Sequence, residues 1–338
     1  MRRAVTEGVR IGVGVEGTLS DAQLTQAQQM GCADIVVARP PLPYDNGWTY
    51  DDLARLQERV ASFDLRITAI QHTPLDDFDQ IRLGLPDRDA ALDRFTETIR
   101  NMGRAGIPML TYNWRPNQLY RTGVIAGRGG AMMTAFDIAQ VGEVPLSHGH
   151  RYEADDLWAT YEYFVRRAVP VAAEVGVMLT LHPDDPPDAD VGGIARIMSS
   201  MEGFVRAAET AGVEASPGWG LVFCIGCWAE IGGMDAVLAG IDRFGPPGKI
   251  GYVHFRDVQG TRTCFNECFP GEGIVDVTAV MRALVAVGFA GVIIDDHAPR
   301  MIGDEGWNAK SRAYQTGYLQ GLLRAVSDMG AGVTFPVQ

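Results

Sequence analysis

Eight short apolar runs, each closed by polar residues and followed by a stretch of helical period, restrict the folds open to this chain. They are RIGVGV (10–15), ADIVVAR (33–39), RITAIQ (66–71), MLTYNW (109–114), VMLTLHP (177–183), GLVFCIG (220–226), IGYVHFRD (250–257) and AGVIIDDHA (290–298). Their nearly continuous Val, Ile and Leu content is that of strands covered on both faces, hence of a parallel sheet. The segments between them read as helices: SDAQLTQAQQMG has a Ser-Asp start and a Gly stop, and DRDAALDRFTETIRNMG opens on acidic residues and closes on Gly103. Eight such units predict an α/β fold in which residues 1–338 close as a single (β/α)8 barrel. An open doubly wound sheet is the rival, but no G-x-G-x-x-G follows the first run. Residues 115–152, with GRGG and SHGH, exceed a tight connection and are expected to form a long active-site loop.

The 46% apolar and 21% charged residues suffice for a large core, and a formal charge of −13 repels a phosphate backbone, which excludes nucleic acid as the expected partner. No uncharged apolar run approaches the length of a membrane span, and MRRAVTEGVRIGVGVEG has no continuous apolar segment of a signal peptide, so a cytoplasmic protein is expected. Five cysteines, at 32, 224, 227, 264 and 268, are an odd number in a long chain; they suit a reducing compartment and ligation better than a disulfide framework. Association into a homo-oligomer is left open by the sequence.

In a barrel of this kind the reactive groups project from the C-terminal strand ends. Four successive runs end in such groups: the fifth in His182, the sixth in Cys224, the seventh in His254 and the eighth in Asp296 followed by His297. Singly, each has a plain structural reading: a half-buried histidine, a small core hydrophobe, a helix cap. Neighbouring ends of a closed barrel converge, however, and a mixed N, S and O donor set suits manganese, iron, cobalt or zinc better than magnesium or calcium. The competing metal reading pairs Cys224-x-x-Cys227 with Cys264-x-x-x-Cys268 in a four-thiolate zinc site. Strand residues three apart do not share a face, so that pair needs a turn, which Gly226 could supply. A dithiol redox centre is disfavoured, because nothing in the sequence places the pair at a helix N-terminus after a first βαβ strand.

Several segments, in this order, make the chain resemble the metal-dependent mannonate dehydratases, a family of barrels related in architecture to xylose isomerase (TIM barrels). They are IRLGLPDRD with FTETIRNMGRAGIPMLTYNWRP (81–116), LHPDDPP (181–187), GLVFCIG (220–226), VHFRDV (253–258), FNECFPGEGIVD (265–276), the Asp-His pair at 296–297 and SRAYQTGYLQGL (311–322). The resemblance implies a hydro-lyase of carbohydrate metabolism that converts D-mannonate to 2-keto-3-deoxygluconate and water. It implies a divalent ion, manganese first, held by His182, Cys224, His254 and Asp296, acid–base work by His297, and a small-molecule sugar acid as partner. Arg256, on the same strand face as His254, is placed either to pair with a substrate carboxylate or to form an interior ion pair with Asp184 or Asp185. Tyr112 and Asn113 end the fourth run and are candidates to hydrogen-bond sugar hydroxyls.

The chain departs from the family where a tyrosine in a Pro-Gly-Tyr setting is expected: it has Gly306-Trp307, and the family's Asp-His-Gly turn becomes Asp-His-Ala-Pro at 296–299. An indole cannot exchange a proton as a phenol can. Trp307 is therefore expected to stack on the substrate or close the pocket, leaving His297 alone for proton transfer. On that ground D-mannonate turnover is expected to be weak, with another acid sugar preferred, and Trp307→Tyr is expected to raise it. The alternative functions are isomerisation or epimerisation of a sugar or sugar acid at the same metal, and a non-enzymatic barrel with a vestigial site.

Overall fold

The computed structural model describes residues 8–117, 120–187 and 190–330. Each of the eight apolar runs is a strand, and all are parallel in one closed sheet. The strands are Arg10–Ile11 continued by Val13–Glu16, then Asp34–Ala38, Arg66–Gln71, Met109–Asn113, Met178–His182, Trp219–Cys224, Ile250–Phe255 and Val292–Asp295. Closure runs through the first strand, whose opening residues pair with Val292–Ile293 while Val13–Glu16 pair with Ile35–Ala38. Gly12 sits at this seam, where a Cβ would lie 2.6 Å from the Asp34 carbonyl oxygen. The runs lack polar alternation because both faces are covered: Trp219–Cys224 is buried at every residue.

Two apolar layers result. Val36, Ala69, Val222, Tyr252, Val292 and Ile294 fill the barrel interior, and a larger cluster packs the strands' outer faces against the helices. Above the interior apolar residues lies a polar layer in which Thr111, Thr180, Tyr252 and Gln71 are hydrogen-bonded in series. Side chains two apart share a strand face. Thr180, Val222, Tyr252 and Ile294 point inward, so the residues two further on, His182, Cys224, His254 and Asp296, point inward at the mouth.

Helix signals in the sequence act as expected at Ser20, which caps Asp21–Gln29 in a capping box with Gln23. The stop at Gly103 does not. Helix Arg88–Ala105 runs through it and ends at Gly106, whose left-handed φ of 74° closes the last turn. Gly103 is small for packing: a Cβ there would stand 2.7 Å from Val175.

Residues 115–152 are not an irregular loop throughout. Strands Gly123–Ala126 and Met132–Asp137 form a hairpin across GRGG and join Cys264–Cys268 and Asp257–Thr261 in a four-stranded antiparallel sheet. Among the described residues no helix is long and apolar enough to cross a membrane.

Candidate metal centre and active site

At the barrel mouth His182, Cys224 and His254 offer ligand atoms that all lie within 4.8 Å of one another. Asp296 brings Oδ2 to 3.4 Å from Cys224 Sγ and 3.8 Å from His254 Nδ1. His182 Nδ1 stands 2.8 Å from the Pro183 carbonyl oxygen, which can only accept, so the proton is on Nδ1 and Nε2 is left as the free donor atom. His254 Nδ1 is buried without a hydrogen-bond partner. Burial pushes the Cys224 thiol up, but a hydrogen bond from Cys227 and the Arg256 guanidinium outweigh it and hold it well below its ordinary value. Cys224 Sγ–H donates to Asp296 Oδ2 at 3.4 Å, and release of that proton would leave a thiolate and a carboxylate, beside His254 Nδ1, with a place for a cation between them. This donor set fits a divalent ion of borderline softness.

A second group of potential ligands, Asp185, Cys227 and Glu230, is already occupied by a cation. Arg256 Nη2 lies 3.1 Å from Asp185, 3.0 Å from Glu230 and 3.2 Å from Cys227. The same guanidinium pairs with Glu267 and reaches Asp296 through Nε at 3.4 Å. Arg256 is fully buried and is absent from the residues lining the cavity, and its ion pairs are with Asp185 rather than Asp184, which supports the interior ion-pair reading over that of a partner for a substrate carboxylate. Asp184 instead accepts the Met198 backbone N–H at 2.9 Å. Gly226 makes room for this cation, since a Cβ there would lie 2.4 Å from Arg256 Nε.

The turn between Cys224 and Cys227 is the start of helix Ile225–Phe244, with Cys224 as its N-cap. The pair therefore does sit at a helix N-terminus, contrary to the sequence reading, because the strand passes into the helix without a loop. Cys264 and Cys268 lie on the accessory sheet, and among the described residues no four-thiolate group forms.

The cavity above the cluster encloses about 190 Å³ and is lined by His182, His254, Asp296 and His297 together with Glu16, Arg39, Gln71, His72, Arg115 and Arg312. His297 Nδ1 lies 2.7 Å from a Glu267 carboxylate oxygen, which fixes the ring and leaves Nε2 for the cavity. Burial lowers the His297 imidazolium, but Glu267 and Asp296 outweigh it and raise it to about 9. His72, which follows the third strand directly, meets the strand-end criterion as well as His182 and His254 do. Its backbone is left-handed, with φ 63°, which is strained for a residue with a side chain. Burial, then the neighbouring His182 and Arg115, push its imidazolium well down, so it is neutral.

Three residues expected to contact substrate are engaged with protein groups, Trp307 directly behind the cavity-lining Gly14 and Arg312. Tyr112 faces outward, its ring packed at 5.2 Å from Phe164 and its hydroxyl 3.4 Å from that of Tyr161, because it alternates with the inward Thr111. Asn113 is buried, and its Oδ1 accepts from Arg82 Nη1 at 2.6 Å. Trp307 donates Nε1–H to the Gly14 carbonyl at 3.0 Å and does not line the cavity. Tyr112→Phe should leave turnover unchanged and cost at most about 1 kcal/mol in denaturant melts, the worth of one ordinary hydrogen bond. A large fall in turnover would return Tyr112 to the site.

The sequence pattern of the family described as D-mannonate dehydratase (UxuA) matches residues 14–151 and 146–331. Mannonate dehydratases of Streptococcus suis (strain 05ZYH33) and Streptococcus pneumoniae (strain 70585) are each 28% identical over 328 residues, covering 87% of this chain in both cases. The crystal structure of mannonate dehydratase from Streptococcus suis serotype 2 superposes with a TM-score of 0.87 at 26% identity, covering 98% of this chain and 99% of that one. A solved L-ribulose 3-epimerase, at TM-score 0.62 and 16% identity over 97% of this chain and 99% of its own, shares the barrel fold alone. Fold and strand-end chemistry thus define a β/α barrel with a candidate metal centre at its mouth. Within that class the chain belongs to the D-mannonate dehydratase family, whose named members are hydro-lyases.

Proposed function

We propose that this chain is a metal-dependent sugar-acid dehydratase that takes D-mannonate to 2-keto-3-deoxygluconate, with one divalent ion held by His182, Cys224, His254 and Asp296. The observation that carries the reading is the convergence of these four donors around an unpartnered His254 Nδ1. A bound ion supplies Lewis acidity toward the substrate carboxylate and the adjacent hydroxyl, which makes the C2 proton acidic. The donor set admits manganese, iron, cobalt or zinc, of which the family resemblance favours manganese, and a thiolate donor with free cysteines suits the reducing cytoplasm.

Arg115 and Arg312 on the cavity wall take the part of binding the substrate carboxylate in place of the buried Arg256. The two imidazoles that line the cavity outside the donor set divide the proton transfers. Neutral His72 accepts the C2 proton, and cationic His297 delivers its proton to the departing C3 hydroxyl, which leaves as water. The resulting enol becomes the 2-keto acid by tautomerisation. Weak turnover of D-mannonate was expected on the ground that His297 works alone; His72 removes that ground, and Trp307→Tyr should give no gain, its position being tied to Gly14.

The test is to load the purified protein with Mn²⁺, incubate it with a panel of aldonates and follow 2-keto-3-deoxy acids. D-mannonate should react, and no 2-keto-3-deoxy acid from any aldonate overturns the proposal. His72→Asn should lower kcat by about 10²–10⁴, the usual worth of a general base, with metal content unchanged. A variant at wild-type rate removes His72 from the scheme.

A further inference from the structure

Gln71 ends the third strand and faces the metal cluster from below, yet no ligand role falls to it. Its side-chain Nε2 lies 2.6 Å from His254 Nε2 and donates to the Tyr252 hydroxyl at 2.9 Å, so the structure has the NH2 end of the amide toward the ring. Behind it the Tyr252 hydroxyl lies 2.7 Å from Thr111 Oγ1, and Thr111 Oγ1 lies 2.9 Å from Thr180 Oγ1. Four barrel strands contribute to this series, and it ends on the ring nitrogen of His254 that is turned away from Asp296.

The two ends of an amide exchange by a half-turn about one bond, and each imposes a different tautomer on the imidazole. With NH2 toward the ring, Nε2 must accept, so the proton resides on Nδ1, the atom 3.8 Å from Asp296, and that nitrogen has no lone pair for an ion. With Oε1 toward the ring, Nε2–H donates to Gln71 and Nδ1 presents its lone pair to the cluster. The hydroxyl series can run either way: from the amide NH2 through Tyr252 and Thr111 to Thr180, which donates to the Leu110 carbonyl at 3.4 Å, or, once the amide has turned, from Thr180 through Thr111 and Tyr252 to the amide oxygen, and a metal on Nδ1 requires the second. Moving between the two relocates one proton from Nδ1 to Nε2 of the same ring and releases none to solvent.

We propose that Gln71 is a positioning residue that makes His254 a metal ligand through Nδ1, by accepting its Nε2–H on Oε1 at the head of the Thr180–Thr111–Tyr252 series. His182 is set the opposite way by the Pro183 carbonyl, so the two histidines ligate through different nitrogens. The inference rests on the metal site proposed above and adds to it the residue that fixes one donor's protonation.

Direct titration of the metal-free protein with Mn²⁺ tests it, reading free Mn²⁺ by electron paramagnetic resonance. Gln71→Met keeps the length and loses the acceptor; it should weaken binding by about 10–100-fold, as loss of a partner behind a ligating histidine does. Gln71→Glu can only accept, and it should bind at least as tightly as wild type. Nitrogen-15 spectra of Zn²⁺-loaded wild-type protein should show His254 protonated on Nε2 and His182 on Nδ1, a reading that needs no variant to fold. Mn²⁺ affinity unchanged by Gln71→Met, or His254 ligating through Nε2, overturns this inference while leaving the four-ligand site standing. A wild-type protein that binds no ion overturns both.

Discussion

Cys224→Ala should strip the protein of its divalent ion and abolish dehydration, whereas alanine at Cys227, Cys264 and Cys268 together should leave metal content near one per chain. In the proposed site Cys224 is the softest donor, its thiol held well below its ordinary value by the neighbouring Cys227 and Arg256, so its loss would remove that ligand and one of two negative charges facing the ion. Metal stabilisation of developing charge is worth several kcal/mol, and at about 1.4 kcal/mol per factor of ten, kcat/KM should fall by roughly three orders of magnitude or more. Chelation of the wild-type protein should give the same loss, reversed by adding Mn²⁺. Elemental analysis of both variants checks the claim, and equal metal loss in the two would move the ion to a thiolate cluster.

Arg256→Met should be the most destabilising single change at the barrel mouth. The guanidinium is fully buried and touches Asp185, Glu230 and Glu267, all buried as well. Burial pushes the Glu230 carboxyl well up, so it can remain protonated, but Asp185 is held well below the carboxylate range, its burial outweighed by Arg121 and Arg256. Removing Arg256 leaves Arg121, with His297 at Glu267, to face two carboxylates. Breaking a buried pair by deleting one partner costs about 3–5 kcal/mol, because the other charge stays buried and unpaired. Guanidinium denaturation should show a loss of that size, part of it regained in the double variant Arg256→Met with Asp185→Asn. A loss under about 1 kcal/mol, the range of surface pairs, would mean that solvent reaches this network.

The barrel was legible because its strands are buried on both faces, which writes them as apolar runs, and because successive ends of a closed sheet meet. The accessory sheet was not legible for the opposite reason. Strand Gly123–Ala126 is exposed at every residue, so its short Val-Ile-Ala run carries no polar boundary or alternation that marks a buried strand, and its GRGG turn reads like any glycine-rich loop. At the site, residue type at a strand end located His182, Cys224, His254 and Asp296 at the mouth, but the same argument confined to the last four strands missed His72 and Gln71 on the third. Tyr112 was misplaced by one step of strand parity. Arg256 shares the inward face with His254, but sequence could not show that carboxylates from three other segments would enclose it.

The most direct test of this account is anomalous X-ray diffraction at the manganese edge from crystals grown with Mn²⁺. One ion should appear at the barrel mouth with a histidine nitrogen from His182, Cys224 Sγ, His254 Nδ1 and an Asp296 oxygen at about 2.0–2.4 Å, the longest being the thiolate. An ion seated instead among Asp185, Cys227 and Glu230, or His254 turned away from it, would contradict the account.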